Sequence, residues 1–193
     1  QVMNIFYLDA DPRQSAEYHC DAHIRKMVVE YAQLLCNQHW LSDDEADMRR
    51  AINNTFFKPT HTTHKCTKWV GLNAFAYTYV YIMWEELQNM YITRYAKHHG
   101  SMRLLDPLLT LPTRLYNGMT EDIEDDTKFP TDDLSPPPMC FGKNYDYLKV
   151  GVDIADHNEV VSAYRNYYRA AKNKFASWGG DRKLPSWWLQ SVG

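Results

Sequence analysis

Three stretches of this chain repeat apolar residues at helical spacing, and that recurrence narrows its folds more than any other feature. Ile24, Met27, Val28, Tyr31, Leu34 and Leu35 mark one buried helix face. Leu72, Ala76, Tyr79, Met83, Leu87 and Met90 mark a second, on a helix predicted from about Lys65 to His98. Val161, Tyr164, Tyr168, Ala171, Phe175 and Trp178 mark a third, ended by Gly179-Gly180. The stops and starts agree with these faces. Asp11-Pro12 reads as an N-cap followed by proline at the first helical position, opening a helix, or two with a bend, that reaches about Trp40. Thr60 to Thr63 offer caps for the second pattern. Asp156 with Glu159 three residues on has the form of a capping box for the third.

The predicted fold class is therefore all-α: a single helical domain over residues 1–193, with Asn4 to Leu8 as a short N-terminal strand or extended segment. The segments Leu41 to Asn54 and Met102 to Leu115 each have room for a short helix. Gly118 to Tyr147 holds seven acidic residues between Glu121 and Asp133, then Pro136-Pro137-Pro138. We read it as a long, exposed, acidic and proline-rich loop, because too little chain follows it to form a second domain. A chain of 193 residues buries a core without disulfide or metal staples. The four cysteines, Cys20, Cys36, Cys66 and Cys140, form no C-x-x-C pair and read as reduced thiols of a cytosolic protein. No apolar run approaches the roughly 18 residues of a membrane span, and Gln1 to Asp11 has neither the basic flank nor the apolar stretch of a signal peptide. A membrane partner is not expected.

The chemistry-bearing residues stand out against these apolar faces. His23, Lys26, Glu30, Gln33 and Asn37 share one face of the first long helix. There Glu30 suits a general base, His23 an acid or base, and Lys26 a phosphate ligand. Lys58-Pro59-Thr60-His61-Thr62-Thr63-His64 precedes the second helix, whose N-terminus would favour an anion beside Lys58, His61 and His64. Arg94, Lys97, His98 and His99 close that helix, where cations complement the dipole or enlarge the same anion site. The net charge of −3 excludes a broadly basic nucleic-acid binder, yet Val161 to Gly193 carries +5 and seven aromatics. Arg165, Tyr168, Arg169 and Lys172 there are the candidate nucleic-acid contacts. The competing reading of each group is ordinary: polar helix surface, N-capping, dipole compensation and a solvated basic face. His19, His23, His61 and His64 supply enough nitrogens for zinc or another divalent metal, but the helix lacks the Glu of a metalloprotease motif and lysines crowd both segments, so no cofactor is expected. The chain has no P-loop, dinucleotide-binding or nucleophile-elbow motif, which argues against those enzyme classes.

Several of these stretches are also similar to one group of proteins. Asn4 to Pro12, Tyr18-His-Cys-Asp-Ala-His23, Lys26-Met27, Glu30 to Leu35, Lys58-Pro-Thr-His61, His64, Trp69, Arg94-Tyr-Ala-Lys-His98 and Tyr164-Arg-Asn-Tyr-Tyr168 resemble small helical proteins of bacteriophages and environmental viruses. The resemblance spans most of the chain except the acidic loop. It extends to helical proteins of phage DNA hypermodification, the alpha-glutamyl/putrescinyl-thymine pyrophosphorylase-like proteins or amino acid:DNA transferases. It implies an enzyme of the host cytoplasm that displaces an activated phosphate from a 5-hydroxymethyl pyrimidine in DNA with a small amine or amino acid. The partners implied are DNA carrying modified pyrimidines, or a nucleotide. The alternatives are a base-excision or nucleotide-processing hydrolase, with or without a metal, and a non-enzymatic DNA-binding phage protein.

Overall fold

The computed structural model describes residues 3–116 and 129–190. It is mainly helical, as the three apolar stripes require. The elements are α1 (Pro12–Tyr18), α2 (Asp21–Trp40), α3 (Glu45–Asn53), α4 (Lys65–Val70), α5 (Ala74–Tyr95), α6 (Leu105–Leu109), α7 (Thr113–Tyr116) and α8 (His157–Ala171). Two 3-10 segments join them, Gly100–Leu104 and Lys143–Lys149. α2 packs along α5, and α1 also lies on α5. No described helix is long and apolar enough to cross a membrane.

The capping signals hold at both marked starts. The Asp11 carboxylate accepts from the Arg13 and Gln14 backbone N–H groups with Pro12 at the first helical position. The Asp156 carboxylate accepts from Asn158 and Glu159 in the same way. The first pattern divides into α1 and α2 around His19-Cys20. The second divides at Gly71, so Leu72 falls outside a helix and is exposed, while Asn73 caps α5. A side chain at Gly71 would meet Gln38 Oε1 at 2.3 Å, so the break is where α4 closes on α2. The cap of α4 is His64 rather than a threonine: its Nδ1 accepts from Cys66 N–H at 3.0 Å.

Two other expectations are corrected. α8 ends at Ala171, eight residues before Gly179, so the helical register is lost and Phe175 is 49% exposed. Val161, Tyr164, Tyr168 and Trp178 are buried as expected, Trp178 from the irregular tail. The described part of the proline-rich loop, residues 129–147, is not simply exposed. Phe129, Leu134 and Phe141 are buried, and the segment is strapped down. Trp69 Nε1 donates to Ser135 O at 2.9 Å, and the Tyr164 hydroxyl to Pro138 O at 2.5 Å. His157 Nε2 donates to Leu134 O, leaving Nδ1 to accept from the Tyr7 hydroxyl at 2.6 Å. Glu121 to Asp126 lie outside the described residues.

Asn4 to Leu8 forms no strand; it is an extended segment threaded through the core. Ile5, Tyr7 and Leu8 are fully inaccessible. Its backbone groups are met by side chains: Phe6 N–H donates to the Tyr31 hydroxyl, Leu8 N–H to Ser15 Oγ, Ser15 Oγ–H to Phe6 O, and Arg165 Nε to Leu8 O. Ser15→Ala therefore orphans two buried backbone groups. We expect it to cost about 2–4 kcal/mol in urea unfolding, far above the size of its side chain. Phe175→Ala is expected to change stability by less than about 1 kcal/mol, since half of that ring is already in water. Equal effects would show that the segment has other partners.

Candidate functional site

The middle of α2 gathers the sequence-predicted residues into one line. Lys26 Nζ lies 3.7 Å from Glu30 Oε1, one turn apart on the helix. Glu30 is nearly buried while Lys26 is half-buried. Burial pushes the Glu30 carboxyl above the ordinary carboxylate range, against the pull of Lys26 and of His61. A carboxylate made more basic in this way suits a general base.

The turn from Lys58 to His64 is pinned to α2, which brings the charge of the exposed His61 to bear on Glu30. The Asn37 side-chain amide pairs with the Thr60 backbone twice, Nδ2 donating to the carbonyl at 2.6 Å and Oδ1 accepting from N–H at 3.2 Å. Thr67 Oγ1 donates to His61 O at 2.8 Å. His61 holds a left-handed backbone, φ 52°, and its ring lies 6.4 Å from that of His64. Such a conformation in a non-glycine residue costs free energy that these hydrogen bonds offset. Lys58 stays exposed on the turn. α4 is only six residues long, and His64 itself caps it. The expected anion site at a long helix N-terminus is therefore not formed, and the positive charge near Glu30 comes from side chains.

At the other end of the line stands Lys172, just past α8. Its Nζ lies 5.1 Å from the Tyr167 ring centroid and 5.9 Å from that of Phe6. Burial, then the charge of Lys26, pulls its ammonium below the usual lysine range. An arriving anion would favour the charged form.

His23 is not the acid or base that its spacing suggested. It is buried, stacked on Phe6 at 4.3 Å and 15°, with Phe175 edge-on at 5.8 Å. Its Nδ1 shares a 2.5 Å hydrogen bond with the Tyr168 hydroxyl, and burial pushes its pKa down to about 2. His19 is likewise structural. Its Nδ1 bonds Ser15 O at 2.6 Å, so that nitrogen carries the proton and Nε2 accepts from the Tyr31 hydroxyl at 2.7 Å. Neither imidazole is placed as a metal ligand.

The remaining expected residues lie elsewhere. Arg94 sits 3.7 Å from Asp21, a carboxylate that also accepts from Arg182 at 2.8 Å and from Gly179 N–H at 2.9 Å. Asp21 is about 13 Å along the α2 axis from Glu30, so Arg94 belongs to a separate knot tying the tail to α2. That knot borders a cleft of about 770 Å³ lined by Glu17, Glu86 and Arg182 among others. Lys97 and His98 are exposed beyond α5, His98 against Met102 Sδ at 2.9 Å. Arg165 is engaged by Leu8 O and Asp9, and Arg169 by Trp187 O and Asn166, both guanidinium groups lying over Trp187. Tyr168 is fully inaccessible, so no base can stack on it. The proposed basic nucleic-acid face is thus largely internal wiring, with Lys172 turned towards the α2 line instead.

Sequence reasoning missed two residues. Cys66 of α4 and Cys140 of the strap lie with Sγ atoms 3.8 Å apart, and one ligand atom from each of them and from His64 falls within 4.8 Å of the others. Among the described residues these three side chains are close enough together to hold a metal ion. Glu30 is close enough for its charge to bear on the Cys66 thiol. The cysteines are 74 positions apart, and no spacing rule joins them.

The chain matches no protein-family model, no curated protein and no solved structure.

His19, His23 and His39 share a consequence. Burial holds their pKa values at about 3, 2 and 4, whereas unfolded histidine titrates near 6.5. The unfolded chain therefore binds more protons below about pH 6.5, so neutral burial stabilises the fold above that pH and the stabilisation fades as pH falls towards 4. The raised Glu30 and Glu17 carboxyls act with opposite sign, but nearer their unfolded range. Between about pH 5 and 6 the unfolding free energy should fall with a slope approaching three protons. Urea unfolding at several pH values measures it, and a slope under one proton would contradict neutral burial.

Proposed function

We propose that the Lys26–Glu30–His61 line is the reaction centre of an enzyme that acts on a phosphate-bearing nucleotide. The reading is carried by one observation: a nearly buried carboxylate with a raised pKa, 3.7 Å from Lys26 and within the field of His61. Lys172, on which the charge of Lys26 bears, adds a second half-buried ammonium. Cations around a base describe a site that accepts an anion and removes a proton beside it.

The reaction that fits, and that the resemblance to phage hypermodification proteins implies, is displacement of an activated phosphate on a 5-hydroxymethyl pyrimidine by an amine. Glu30 takes the proton from the amine. The amine nitrogen forms a bond to the methylene carbon, and the carbon–oxygen bond breaks with its electron pair leaving on the phosphate. Lys26, His61 and Lys172 balance that charge. A DNA-binding protein without turnover is less favoured, because Arg165 and Arg169 are committed to intramolecular contacts.

Glu30→Gln keeps shape and removes the base. We expect a loss of about 10²–10⁴ in phosphate or pyrophosphate release from DNA carrying the activated pyrimidine, supplied with glycine or putrescine. Pyrophosphate binding should persist in Glu30→Gln and weaken in Lys26→Ala. Unchanged turnover in Glu30→Gln, or no binding of pyrophosphate at millimolar concentration, would refute the assignment.

A further inference from the structure

The His64, Cys66 and Cys140 cluster has a geometry of its own. Two thiolates on one tetrahedral zinc, each at about 2.3 Å, stand about 3.8 Å apart. The Cys66 and Cys140 sulfurs are 3.8 Å apart. A disulfide needs about 2.05 Å, so the two are unbonded thiols.

We propose that His64, Cys66 and Cys140 form a mononuclear site for a thiophilic divalent cation, zinc above all, with three protein ligands and one coordination position left for water or a substrate atom. The inference stands apart from the reading of Glu30. Soft sulfur ligands select zinc over magnesium or calcium. Two thiolates and a neutral imidazole also cancel the charge of the cation, so Lys65 and Lys149, whose charges reach Cys140, do not oppose it. The supports are already fixed. Cys66 is fully buried in α4, with Sγ 3.7 Å from Met3 O. The strap at Cys140 is held by Asn4 Nδ2 donating to Cys140 O at 2.8 Å and by the Tyr164 hydroxyl on Pro138 O. Cys140 and His64 are half-buried, which leaves a path from solvent.

Binding has one local cost. His64 Nδ1 accepts from Cys66 N–H in the α4 cap. A cation on Nδ1 displaces that bond, and a cation on Nε2 requires the proton on Nδ1, which then cannot accept. The loss of that one backbone hydrogen bond is small beside two zinc–thiolate bonds.

The test is titration of the reduced full chain with Zn²⁺ against a chromophoric chelator, and with Co²⁺ followed by absorption. We expect one equivalent to bind, with thiolate-to-cobalt charge transfer and the visible bands of tetrahedral cobalt. Cys140→Ser, a half-exposed change that spares the core, should weaken binding by about 100-fold. His64→Ala should weaken it by about tenfold and keep the charge-transfer band. Cys36→Ala should bind as the parent does. Circular dichroism checks that each variant folds. Sub-stoichiometric binding, Cys140→Ser binding as tightly as the parent, or Cys66 and Cys140 recovered as a disulfide after purification without reductant would each overturn the proposal.

Discussion

A buried extended backbone with no neighbouring strand must find its hydrogen bonds among side chains, and the segment from Met3 to Leu8 imposes that demand on the whole molecule. Tyr31 of α2, Ser15 of α1 and Arg165 of α8 answer it. Each is a polar side chain sent inwards from a different helix, so the segment fixes those helices relative to one another. The same demand explains the buried histidines. Tyr31 accepts from Phe6 N–H, and its own buried proton then needs an acceptor, which His19 Nε2 supplies. Phe6 in turn supplies the flat surface against which His23 stacks. Polar residues that looked reactive in the sequence are largely answers to this one packing problem.

What remains for chemistry is the stretch of α2 between two anchors. Asp21 holds the tail at the N-terminal end through Arg182, Gly179 and Arg94. Asn37 holds the Lys58–His64 turn at the C-terminal end. Lys26 and Glu30 lie between them on a regular helix, whose rigidity sets the position of the carboxylate. His61 comes from the pinned turn, and Lys172 from the chain just past α8.

The legible parts of the sequence were those set by local chemistry. Asp11-Pro12 and Asp156 cap helices because the carboxylate and the free N–H groups are two or three residues apart. The α2 stripe was readable since one face of twenty residues is buried against α5. Periodicity misled where it outlived the helix. Phe175 continues the α8 rhythm, but Lys172 already ends the helix, and nothing in the spacing records that. Asn4 to Leu8 read as a strand or an extended segment, and the choice stayed open because an apolar run does not say what pairs its backbone. Arg165 and Arg169 looked like a basic face because composition does not reveal a carbonyl waiting across the fold. That Lys26 and Glu30 share one face of α2 was legible because helix periodicity is local; Cys66 and Cys140 meet only through tertiary structure.

The arrangement of charge around Glu30 argues for an anion rather than a neutral ligand. Lys172 is half-buried against two aromatic rings, and Lys26 stands close enough to depress it further. The charge of Lys26 disfavours the charged form of Lys172. A phosphate entering beside them would relieve the repulsion and strengthen both charges at once. Its negative charge would also push the Glu30 carboxyl further up, favouring a base that accepts a proton and keeps it until the anion leaves. On the proposed reading, anion entry and proton uptake at Glu30 would be coupled through these charges, as a displacement with a phosphate leaving group requires.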